Sequence, residues 1–406
     1  MIHQMTIDDQ GHALERSARL YPIYVFFQKA SYWGPIFFLY FSSVLTLSDV
    51  LLLEAIYYIS VVLLEIPTGY LSDRIGPRRV LIASSVAQMA ACAAFASTGL
   101  FPILVCGQIL LALGMSLGSG SDTSYHYAVL KGSDRVQEYG EREARSARAL
   151  LLSQAISALL GGAAAVLDLR LAYLLTLASS GVAAWIAFQF AEIGPNGVER
   201  EDLTHQIRSC LQDAANPRLA WLLSYFIFIT VINHIPHEFY QPFLSSLIHE
   251  MQFGLTPPAV TGFHTAVTLG IATVAATYSI RIRDRLGTSL TLLLAGLLQT
   301  AIIAAMALAQ SPAIAILIVF RSVPRGLMQA PLNADVVPLL GENRRATYLS
   351  IQSLLGRLAF GAILLVFSRT LSGNEIVGPL VVSMTGAAIV LLLLTIAAPF
   401  SRKLRM

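Results

Sequence analysis

An all-α integral membrane protein of twelve transmembrane helices, arranged as two six-helix halves, is the fold class the sequence predicts. Three observations predict it. Of 406 residues, 55% are hydrophobic and only 13% charged, against about 25% charged in soluble domains. Charge this sparse cannot cover a water-facing surface, so most of the surface must face lipid. The apolar residues also gather into twelve stretches, each near the ~20 residues that cross the hydrocarbon core. Finally, the basic residues of the intervening loops fall almost wholly on one side.

The spans lie near 21–45, 49–69, 79–99, 102–128, 145–166, 170–191, 219–243, 258–280, 288–309, 312–336, 346–368 and 376–399. With that count, 21 Lys and Arg residues fall in the termini and the loops on the same side, from Arg16 and Arg19 to Arg402, Lys403 and Arg405. Two, Arg170 and Arg369, fall on the other side. Because cytoplasmic loops carry the excess of basic residues, both termini are expected in the cytoplasm and the protein in the cell (inner) membrane. A wrong count would scramble the alternation. The polar segment 192–218, "EIGPNGVEREDLTHQIRSCLQDAANPR", is the longest cytoplasmic connection. It divides the chain into a first bundle (1–191), a linker (192–218) and a second bundle (219–406).

The net charge of +3 and the lack of a long basic run leave no basis for nucleic-acid binding. Three cysteines, Cys92, Cys106 and Cys210, form neither a disulfide framework nor a metal spacing. Cys92 and Cys106 lie in apolar runs, where they pack as small hydrophobes. The first twenty residues have no apolar core and no cleavage site, so the first span is expected to remain as an anchor. No Walker loop, nucleophile elbow or metal set is present, which argues against an enzyme and against a cofactor.

Each half opens alike. "YLSDRIG" (70–76) matches "RIRDRLG" (281–287), so that Asp73, Arg74 and Gly76 correspond to Asp284, Arg285 and Gly287. Both copies follow the second span of their half. A second echo, "REARSARALLLS" (142–153) and "NRRATYLSIQS" (343–353), follows the fourth. Two similar halves about a central loop are the pattern of parallel-repeat transporters, whose substrates sit near mid-membrane.

With these motifs the chain resembles the major facilitator superfamily over essentially its whole length. The family's loop motif, G-x-L-a-D-R-x-G-r-[RK]-[RK], is met by Gly69, Leu71, Asp73, Arg74, Gly76, Arg78 and Arg79, with Pro77 where a basic residue is common. "EIPTG" before the motif, "GSGSDTSYHYAVL" in the fourth span and "RRATYLS" opening the eleventh look like a bacterial efflux-type branch. Glycines permit a tight turn, and a carboxylate at one helix end can face the positive N-terminus of another. The resemblance implies that Asp73 faces the start of the eleventh span near Arg344, Arg345 and Thr347. It implies the same of Asp284 and the fifth span near Arg142 and Arg145, the two contacts forming a cytoplasmic gate. Two segments depart from the family's exporter pattern. "SQAISALLGGAAAV" keeps Gly161 and Gly162 but lacks the Gly-Pro, and "CGQILLALG" has Gln108 but no arginine.

Ionisable groups inside spans are costly and are functional candidates by default. In the first span these are Lys29, with Trp33 one turn on. Glu54 and Glu65 share a face with Tyr58 in the second. In the fourth, Asp122 and His126 stand one turn apart, the spacing for a shared or relayed proton. The seventh, "INHIPHEFYQPF", carries His234, Glu238 and Gln241 on one face, with Pro236 and Pro242 to bend it into an outer gate. Arg321, Arg325, Gln329 and Asn333 follow in the tenth, and Arg357 in the eleventh. These arginines either pair with Asp335, Glu238 or Glu54, or offer donors to an anionic group on substrate.

Asp122, His126, His234 and Glu238 are thus the candidates for coupling to protons. Lys29, Trp33, Glu54, Tyr58, Gln241, Arg321, Arg325, Asn333 and Arg357 are those for the substrate cavity. The expected activity is proton-driven export of a small amphiphilic organic compound by a monomer embedded in the bilayer. Uptake of an organic anion, by proton symport or facilitation, is the alternative. A non-transporting scaffold would not need the intact gate motif.

Overall fold

The computed structural model describes residues 7–119, 121–193, 216–250, 254–340, 345–370 and 376–399. Among them all regular structure is helical, as lipid requires of a chain that must satisfy its backbone internally. The chain divides into two compact units, 1–45 with 56–198 and 46–55 with 199–406.

The first unit holds α1 (Ile7–Gln28), α2 (Phe37–Ser42), most of α3 (Leu47–Ile75), α4 (Pro77–Ser97), α5 (Phe101–Gly118), α6 (Ser121–Gly132), α7 (Tyr139–Ala165) and α8 (Leu169–Phe188). The second holds α9 (Pro217–Glu250), α10 (Pro257–Leu286), α11 (Thr288–Leu308), α12 (Pro312–Ile318), α13 (Val323–Val336), α14 (Arg345–Thr370) and α15 (Val377–Ala397). A 3₁₀ turn, Val319–Ser322, joins α12 to α13. The second unit also claims the first residues of α3, where the Ser48 hydroxyl donates to the Ser368 carbonyl. The boundary drawn from sequence put the whole of α3 in the first bundle.

Eleven helical stretches of the described residues are long and apolar enough to cross a membrane. The expected first span, 21–45, is not one helix. α1 ends at Gln28, and residues 29–36 run irregularly to the short α2. The fourth span is likewise split, α5 ending at Gly118 and α6 starting at Ser121. Outward faces stay apolar, as with Leu392, Leu393 and Ile396 on α15, all well over half exposed. These are lipid-facing positions by composition.

The two copies of the loop motif form the same joint. Gly76 between α3 and α4 has φ +88° and Gly287 between α10 and α11 has φ +80°. Any residue with a Cβ is strained there, so glycine lets each helix end and the next begin at once. At Gly76 the following Pro77 supplies the preferred first helical residue.

Candidate functional site

A break in a membrane helix frees backbone groups that lipid cannot satisfy. In the first span three of the freed groups meet side chains of the first unit. The Ser153 hydroxyl of α7 donates to the Phe26 carbonyl, and the Ser179 hydroxyl of α8 donates to the Phe27 carbonyl at 2.9 Å. The Tyr32 amide donates to the Thr176 hydroxyl of α8 at 3.0 Å. Gly161 lets α7 approach: a Cβ there would lie 1.9 Å from the Tyr32 carbonyl oxygen. Gln28, the last residue of α1, is anchored below the break by Gln88 (2.9 Å) and Ser85 (2.6 Å) of α4.

This scaffold leaves Lys29 just past the C-terminus of α1. Its Nζ lies 3.3 Å from Oδ2 of Asp122 in the first turn of α6. Oδ1 of the same carboxylate accepts from the Thr123 amide at 2.8 Å. Each charge therefore stands at the helix end whose dipole favours it, the cation at a C-terminus and the anion at an N-terminus. Neither is fully buried, with side-chain exposures of 30% and 19%. His126, expected to share Asp122's proton, is instead buried and stacked on Tyr21, ring centroids 4.1 Å apart. Trp33 stacks parallel to Tyr173, at 6.3 Å.

In the second unit the 3₁₀ turn buries Arg321. Its Nη1 donates to His264 Nδ1 (2.7 Å) and to the Thr268 hydroxyl (2.8 Å) of α10. The guanidinium carbon sits 3.8 Å from the centre of the Tyr240 ring of α9, a cation–π contact. Gln241 donates to the Tyr240 hydroxyl, which also bonds Thr265. Glu238 and Gln241 are fully buried in α9, while Arg325 is exposed. Glu54 is buried, Tyr58 nearly so, and Asn333 and Arg357 half-buried. His234 Nδ1 meets the Thr230 carbonyl of its own helix at 2.7 Å, and its ring tilts over Phe360.

The sequence profile of the Major Facilitator Superfamily matches residues 23–364, which run from α1 into α14. The chain belongs to the major facilitator superfamily. It is therefore a transporter by family and not an enzyme. No curated protein matches the sequence. Solved structures share the fold at low identity. A crystal structure of the nucleoside transporter NupG superposes with a TM-score of 0.75 at 13% identity, over 95% of this chain and 98% of that one. The peptide transporter POT in complex with sulfate gives 0.72 at 15%, over 96% and 95%. A bacterial homologue of the human lysosomal transporter Spinster gives 0.67 at 14%, over 97% and 96%.

The superfamily's loop motif is built as follows. The side chains of Asp73, Arg345 and Thr347 lie outside the described residues, as does Arg344. Arg74 is exposed at the end of α3. Arg78 bonds Glu192 and the Phe188 carbonyl, and Arg79 bonds Glu192 at 3.0 Å. These two arginines thus fasten the start of α4 to the end of α8. In the second unit Asp284 pairs with its neighbour Arg283 at 2.6 Å, and Arg285 is exposed. Asp335, one expected partner of the membrane arginines, holds Arg218 of α9 and accepts from Thr288 of α11 at 3.1 Å.

Sequence reasoning missed Tyr240, His264, Thr265 and Thr268. The last three lie on α10 well before its "RIRDRLG" end, in a stretch that gave no motif. His264 alone carried a signal, being an ionisable side chain inside a span. The pairing of Lys29 with Asp122 was also missed, although both residues were named.

Proposed function

We propose that this superfamily member couples the movement of a small amphiphilic organic compound to protons through the Lys29–Asp122 pair. The compound leaves the cell by alternating access. The observation that carries the coupling is the position of the pair, at the two helix breaks of the first unit. An ion pair and a proton compete for the same carboxylate. Protonating Asp122 removes the partner of Lys29, and a state that separates the two charges favours the proton. Proton occupancy then differs between states, which is what coupling requires. His126, His234 and Glu238 are the further titratable candidates, and the Gly76 and Gly287 joints, with Asp73 and Asp284, are the gate. Support for export comes from the "EIPTG", "GSGSDTSYHYAVL" and "RRATYLS" segments. In this reading the protein works as a monomer in the cell (inner) membrane with both termini in the cytoplasm.

A substrate found by ligand-induced thermal shifts at two pH values makes the test possible. Asp122→Asn is expected to bind that substrate and exchange it down a gradient, but not to accumulate it against one. Retained proton-driven accumulation in Asp122→Asn would make the pair structural. Uptake of an organic anion is a second reading, favoured by the buried Arg321, and the direction of accumulation in sided vesicles separates the two.

A further inference from the structure

We propose that Arg321 is the receptor for an anionic group, a carboxylate or a phosphate, on the transported compound, and that this group docks edge-on against Nε and Nη2. The inference rests on the transport reading for the ligand's being cargo. The binding site itself stands on the second unit alone.

Arg321 is 4% exposed, and a guanidinium does not give up its proton inside a protein. Its bonding partners are all neutral. His264 presents Nδ1 as an acceptor, and its other ring nitrogen lies 3.0 Å from the Ala315 carbonyl. That arrangement is satisfied by the neutral Nε2–H tautomer. The Thr268 hydroxyl gives its hydrogen to the His264 carbonyl of its own helix at 2.8 Å, so it too meets Arg321 as an acceptor. Tyr240 covers the face of the guanidinium. Among the described residues no carboxylate lies within ion-pairing distance of Arg321. Glu238 is close enough to Tyr240 to act on it electrostatically but makes no ion pair with the arginine. Burying a charge among neutral groups costs more than their hydrogen bonds return. An anion that enters the site removes that imbalance.

The donors show where the anion goes. Both Nη1 hydrogens are used by His264 and Thr268. Nη2 has one long contact, 3.4 Å to the Thr265 hydroxyl. Nε has no acceptor among the described residues. The Nε–Nη2 edge is the one that takes a carboxylate or phosphate through two parallel hydrogen bonds. With Tyr240 on its face and Nη1 tied to α10, the fork is held in one plane before the ligand arrives. A second arginine, Arg325, follows four residues on and is exposed.

The test uses the full chain in detergent and a series with one tail and four heads: hexanoate, hexyl phosphate, hexanol and hexylamine. At least one of the two anions is expected to raise the unfolding midpoint saturably, and the alcohol and amine are not. Arg321→Gln should weaken the anion by about tenfold or more, the loss expected for a charged hydrogen-bonded contact. Arg321→Lys, which keeps the charge but not the fork, should also bind more weakly and serves if the glutamine variant does not fold. Glu138→Gln, a charge change in the first unit, should keep the anion response. No response to either anion, an equal response to hexanol, or unchanged affinity in Arg321→Lys with Arg321→Gln would overturn the assignment. Because no gradient is applied, loss of proton coupling in Asp122→Asn leaves this result standing, and the reverse holds too.

Discussion

Removing one charge of the Lys29–Asp122 pair should cost more than removing both. At 3.3 Å, two unit charges attract by about 5 kcal/mol at an effective dielectric of about 20. Desolvation of both groups offsets most of this. Breaking a buried pair from one side costs about 3–5 kcal/mol, and the exposures of 30% and 19% put this pair below that range. A coupling of about 1–3 kcal/mol between contacting residues is the expectation. Lys29→Met keeps the aliphatic stem, and Asp122→Asn keeps an oxygen for the Thr123 amide, so each removes charge with little else. Chemical unfolding of the solubilised protein should show each single variant destabilised and the double variant recovering about that coupling. Reversing the pair, Lys29→Asp with Asp122→Lys, should not recover it. The swap sets an anion at the C-terminus of α1 and a cation at the N-terminus of α6, each unfavourable by about 0.3–1 kcal/mol. Single-variant losses that add to within about 0.5 kcal/mol would refute the pair as an energetic unit, and full recovery in the swap would refute the role of the helix ends.

Three further outcomes follow from other parts of the fold. Gly161→Ala drives a methyl into the Tyr32 backbone and should destabilise the protein by about 1–3 kcal/mol or more. Gly181→Ala, whose Cβ would meet only the Met89 side chain at 3.6 Å, should be tolerated in the same unfolding assay. In the turn before α7, Arg135, and then Arg142, hold the Glu138 carboxyl down at about 2 from 4.5. This contribution is complete above pH 4.5 and lost as pH falls toward 2, so the difference in midpoint between wild type and Glu138→Gln should shrink over that window and be flat above it. A cysteine at Ser133, with Cys92, Cys106 and Cys210 replaced, should resist impermeant thiol reagents in intact cells, and ready labelling from outside would overturn the cytoplasmic assignment of that turn.

The all-helical membrane class and the approximate span number were legible because apolar length adds along the chain. The interior of the spans was less legible. "YWGPI" (32–36) carries a Gly-Pro, a strong turn signal, yet the apolar run around it reads as one span because hydropathy averages over the break. The run "GSGSD" (118–122) gave the same warning for the fourth span. Lys29, Asp122 and Arg321 stood out because charge in a span is rare. Their partners did not, because a partner is chosen by which helices pack together. Spacing favoured His126 for Asp122, being one turn away. The broken helix ends settled it otherwise, by bringing Lys29 from another helix into the first turn of α6.

The two units answer to different chemistry. The Lys29–Asp122 pair sums to zero, and one proton on the carboxylate is enough to change its state. Arg321 cannot be switched in that way, because its charge is permanent and its contacts are neutral. It responds instead to the sign of what arrives. If both proposals hold, substitutions at Lys29 and Asp122 should move the pH dependence of transport while leaving the preference among anions alone. Substitutions at Arg321, His264 or Thr268 should change that preference without moving the pH dependence. A variant in one unit that altered both properties together would mean that proton and cargo meet at a single site, and the division drawn here between the units would fail.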